Sequence, residues 1–91
     1  MKVNEVTLRI NGQLRNQTNY IKNNAIRICN DALKVDYLSL EKVNLIKSLK
    51  KEIEETRDPW QWNGIPSRKE TELILKNLIA LKTVLERKAS L

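Results

Sequence analysis

The residues best equipped for chemistry in this 91-residue chain form one polar series: Arg9, Asn16, Tyr20, Asn23, Arg27, Asn30 and Lys34. Their spacings of seven, four, three, four, three and four place them along one edge of a helix, because residues three and four apart are neighbours on a helical surface. The cations suit phosphate oxygens, the amides match the donor and acceptor pattern of base edges, and the tyrosine offers a face for stacking. On an ordinary amphipathic helix the same series is simply the solvated face, and spacing alone does not separate the two readings.

A second group surrounds the stretch TRDPWQWNGIPS, residues 56–67, which holds both tryptophans, both prolines and one of the two glycines of a chain without phenylalanine. Asp58-Pro59 ends the preceding helix, since a residue before proline is pushed out of helical geometry. One indole is expected to plug the end of a core made of Leu, Ile, Val and Ala. The other faces outward, so Trp60 and Trp62 with Arg57, Arg68 and Lys69 form a candidate partner-binding patch.

Catalysis has little to build on. With no histidine there is no ordinary general base near neutral pH and no paired Ser-His or Cys-His nucleophile. Cys29, the one cysteine, lies beside an apolar stripe and reads as a small buried hydrophobe; it can close no internal disulfide. The acidic run Glu52, Glu54, Glu55 and Asp58 is interleaved with Lys50, Lys51 and Arg57, which reads as a salt-bridged surface rather than a cation site. Gly12 and Gly64 stand alone, so no phosphate-cradling loop exists. No enzyme activity, metal or cofactor is therefore expected.

The elements that must hold these residues follow from the apolar periodicity. Val3, Val6, Ile10, Leu14, Ile21, Ala25, Ile28, Ala32 and Val35 recur at three, four or seven, the period of one helical stripe. Asn11-Gly12 after the alternating Val6, Leu8 and Ile10 gives a competing hairpin pattern, which leaves residues 2–12 as arm, strand or helix start. A helix is expected over 13–34, with Gly12 starting or kinking it. A second runs from Ser39 or Leu40 to about Thr56, burying Leu38, Leu45, Ile46, Leu49 and Ile53. The third, over 67–89, opens on Ser67 and Glu70, spaced as a capping box.

In that last helix Ile74, Leu78, Leu81 and Leu85 make one stripe, while Leu73, Leu75, Ile79, Ala80 and Val84 spread apolar surface to either side. A helix greasy around most of its circumference is central or shared, and a three-helix protein has no central helix. The expected fold is all-α, a small three-helix bundle or a helical hairpin with an extra N-terminal helix. Self-association is expected through the C-terminal helix, with Leu73, Leu75, Ile79 and Val84 at the interface. A chain this short buries only about 60–65 % of its unfolded surface, and oligomerisation would add to that.

Seventeen Lys and Arg against eleven Asp and Glu favour anionic partners. The excess is strongest in residues 1–35, with six basic and two acidic groups. No signal-like or membrane-spanning run is present, so a cytoplasmic protein is expected, in the producing cell or in a host. The ten-residue, two-proline link between the last helices is too long for a helix-turn-helix motif. Short, Lys/Asn-rich, helical and without histidine, the chain is similar in style to small accessory proteins of phages and mobile elements. The expected function is a non-enzymatic helical binding protein that regulates or inhibits a larger partner. A nucleic-acid binder using the Arg/Asn/Tyr edge, or an oligomer that sequesters nucleotides, are the alternatives.

Overall fold

The computed structural model describes residues 1–16, 20–56 and 68–87, and among these every regular element is helical. There are four: α1 (Val3–Arg15), α2 (Ile21–Ala32), α3 (Leu40–Glu54) and α4 (Arg68–Glu86). The all-α expectation is met, with one helix more than the apolar stripe suggested. The hairpin reading of Asn11-Gly12 is overturned, because α1 passes through both residues and closes with the Asn16 amide donating to the Gly12 carbonyl at 3.0 Å. The break falls after Arg15 instead of at Gly12, so the single helix expected over 13–34 is two. The sequence there, Asn16-Gln17-Thr18-Asn19, is rich in side chains that compete for backbone hydrogen bonds and propagate a helix poorly.

Burial in each helix follows spacing. Val6, Ile10 and Gln13 are buried in α1; Ile21, Ala25, Ile28, Cys29 and Ala32 in α2; Ile46 and Ile53 in α3; Ile74, Leu78, Leu81 and Leu85 in α4. Leu38 and Leu49 pack at the edge of this core, whereas Leu45, expected inside, is 40 % exposed. Ile46 and Ile53 fix which face of α3 turns inward, and Leu45 lies a further 100° around the helix from Ile46. Ser39 caps α3, its hydroxyl accepting from the Lys42 amide at 3.2 Å. The partner of Glu70 in the expected capping box, Ser67, lies outside the described residues.

Each helix packs antiparallel on the next, and a polar tie fixes the register of every neighbouring pair. Arg9 of α1 pairs with Asp31 of α2. Lys22 of α2 donates to the Thr56 carbonyl past the end of α3 at 2.5 Å. The Asn77 amide of α4 donates to Glu52 of α3 at 2.9 Å, and Lys82 of α4 donates to Asn11 of α1 at 3.1 Å. The cross-section is a rhombus rather than a square: α2 and α4 touch across the bundle, while α1 and α3 hardly meet.

With four helices instead of three, α4 has more neighbours within the chain than expected. α4 packs on all three other helices, so the apolar surface on its flanks is used within one chain. Leu75 and Val84 lie partly buried against the core. Leu73 and Ile79 stay exposed, at 38 % and 53 %, but six residues separate them, which puts them about 120° apart around the helix. The four residues expected to form an oligomer interface do not make one patch.

Candidate functional site: the outer face of α2

Because α2 packs on α1, α3 and α4, only a narrow line of it, between α1 and α3, is left exposed. The core residues Ile21, Ala25, Ile28 and Ala32 occupy one side of the helix, so the three- and four-residue steps Tyr20, Asn23, Arg27 and Asn30 fall opposite them. Lys34 continues the line in the turn past the helix end. Tyr20 is 51 % exposed, and Asn23, Arg27, Asn30 and Lys34 are all exposed. The side chains of these last four make no hydrogen bond or ion pair among the described residues. From Tyr20 to Lys34 the row is about 21 Å long at 1.5 Å per residue.

Two members of the expected series leave it. Arg9 and Asn16 belong to α1, and reversal of the chain between the helices takes them off the α2 line. Asn16 becomes the exposed C-cap of α1. Arg9 lies against Asp31, whose carboxylate is largely covered, and its charge is compensated there. On the opposite flank, Lys50 and Glu54 of α3 come near enough to Cys29 for both to act on its thiol, one charge of each sign. Arg27 and Lys34 are the cations of this line, and neither makes an ion pair among the described residues.

One residue that the periodicity did not mark lies in the turn beyond the row. Tyr37, three positions beyond Lys34, is fully exposed and has φ 62, the left-handed region that bulky L-residues avoid. The corner that holds it is tied down by the chain's own start. The Met1 ammonium donates to the Lys34 carbonyl at 3.3 Å, and the Asp36 amide donates to the Met1 carbonyl at 3.4 Å. In sequence, the two tyrosines of the chain bracket these cations and amides.

The other candidates are less developed. Trp60, Trp62 and Arg57 lie outside the described residues. Arg68 and Lys69 are exposed at the start of α4, where Arg68 pairs with Glu72 at 3.2 Å one turn on. An open groove of about 1000 Å³ between the end of α3 and the start of α4 is lined by Glu52, Glu55, Glu70, Glu72, Lys69 and Lys76, of mixed charge, with Leu73 and Thr56. No cluster that could hold a metal ion occurs among the described residues. Cys29 is buried and desolvation pushes its thiol up from 9.0 to about 11, which removes it as a nucleophile near neutral pH. No described helix is long and apolar enough to cross a membrane.

The chain matches no protein-family model, no curated protein and no solved structure.

Proposed function

We propose that this chain is a non-enzymatic helical binding protein that regulates a larger, negatively charged partner by direct contact, through the outer face of α2. The observation that carries the reading is the placement of Arg27 and Lys34. They lie on one exposed line, with no carboxylate partner among the described residues. Cations held this way are available to an incoming anion without first breaking an internal pair. The absence of histidine and the burial of Cys29 favour binding over catalysis.

The test is a backbone-amide NMR titration with polyphosphate as a generic polyanion. Shift changes are expected to concentrate on residues 20–37. Changes centred on Arg68, Lys69 and Lys76 at the start of α4, or spread evenly over every exposed lysine, would rule the α2 face out.

A further inference from the structure

Resting on that reading, we infer that the partner of the α2 face is single-stranded nucleic acid, laid along the row from Tyr20 to Tyr37 with its phosphates on Arg27 and Lys34. Three observations separate this ligand from its competitors.

The shape of the face argues against duplex DNA read through the major groove. A helix that enters that groove must stand clear of its neighbours, because the groove is only about 12 Å wide. Here α2 is packed by α1, α3 and α4, and of its own residues only Asn23, Arg27 and Asn30 are exposed. A narrow exposed line of this kind can track a flexible strand along its length.

The composition of the face argues against a protein partner. The centre of a stable protein interface is apolar and desolvated, with a polar rim. The centre of this row is Asn23, Arg27 and Asn30, and its aromatic residues are at the two ends. Cations in the middle and stacking rings at the margins is instead the arrangement by which single strands are held, since every base offers a π-face and every link a phosphate. The amides of Asn23 and Asn30 can then meet the edges of unpaired bases.

The third observation is the backbone of Tyr37. Its left-handed φ is unfavourable for a tyrosine, and its ring, fully in solvent, gains no packing in return. Glycine would hold the same corner without strain. A base stacked on the ring supplies the contact that the folded chain alone does not.

The experiment is fluorescence anisotropy with a labelled thymidine oligomer of roughly 16 nucleotides, the same length as duplex, and unlabelled polyglutamate as competitor. The single strand is expected to bind more tightly than the duplex, with log K falling against log salt at a slope of about −1.4 for two phosphate contacts. Arg27→Gln with Lys34→Gln should remove most of that slope. Tyr37→Gly should weaken binding roughly five- to a hundredfold, the range of one lost stacking contact, without lowering the melting temperature. Glu86→Gln, exposed in the last turn of α4, should change neither the relative affinities nor the effect of Tyr37→Gly. Equal or tighter binding of duplex overturns the inference, as does an unchanged affinity in Tyr37→Gly. If polyglutamate displaces the strand and Arg27→Gln/Lys34→Gln abolishes both, the single-strand assignment fails while an anionic protein partner survives. If no polyanion binds, both proposals fall.

Discussion

The side-chain amide of Gln13 joins α1 to α2 from both of its ends: its Nε2 donates to the Asn16 carbonyl at 3.1 Å, and its Oε1 accepts from Asn24 Nδ2 at 3.0 Å. Gln13 is buried, so this one residue closes the last turn of α1 and fixes where α2 lies beside it. Gln13→Ala removes both bonds at a buried position between the two helices. A loss of about 1–3 kcal/mol is expected. In thermal unfolding that is a fall of at least about 4 °C for a domain of this size; an unchanged midpoint would show that water replaces the amide at no cost.

Two backbone positions should respond to substitution in the opposite sense. Gly12 is exposed inside α1, and a methyl group added there meets nothing within 4 Å. Gly12→Ala is expected to stabilise the fold by about 0.5–1 kcal/mol, the difference in helical preference. Tyr37→Gly should also stabilise, by about 1 kcal/mol, through relief of the left-handed strain. Chemical denaturation checks both: each midpoint should rise with an unchanged slope.

Cys29 should be silent until the chain opens. With the thiol at about 11, roughly a thousandth is ionised at pH 8, and the side chain is buried besides. Reaction with a thiol reagent should therefore follow global unfolding and accelerate with denaturant. The pH dependence has a definite sign. The folded state holds its proton more tightly than the unfolded state, so this group costs nothing below about pH 9 and lowers stability as pH rises from 9 towards 11. Melting curves across that window should show a steeper decline for the native chain than for Cys29→Ala.

The internal use of the flanks of α4 leads to a prediction about assembly. With Leu75 and Val84 packed against the core and Leu73 and Ile79 on different sides, sedimentation at micromolar concentration should find a monomer. Ile79→Glu should leave the sedimentation coefficient unchanged, while Leu78→Ala, its fully buried neighbour, should cost about 2–5 kcal/mol. A dimer dissociated by Ile79→Glu would restore the shared-helix reading.

Much of the core was legible because it is periodic. Ile74, Leu78, Leu81 and Leu85 sit three and four apart in a long helix, and all four are buried. The division of α1 from α2 was hidden by the same regularity: an antiparallel hairpin keeps its apolar residues facing inward on both arms, so the stripe from Val3 to Val35 persists through the reversal. The trace it left is the seven-residue gap between Leu14 and Ile21, where a continuous helix would place another apolar residue. Once the chain reverses, Arg9 meets Asp31 across 22 positions, a pairing that no local spacing encodes. Gln13 and Asn77 occupy stripe positions with polar side chains, and only the three-dimensional arrangement supplies their partners. Tyr37 carries no sequence mark at all, since its backbone would be announced by glycine or asparagine.

The rhombic packing also makes the molecule two-sided. The bundle is about 18 Å through its thinnest dimension, with the exposed line of α2 on one side and the outer side of α4, with Lys76, Ile79 and Thr83, on the other. A dye, tether or surface linkage placed at Thr83 would hold the protein by its back and leave the α2 face turned to solution. The fold thus comes with a natural handle for immobilisation in a known orientation.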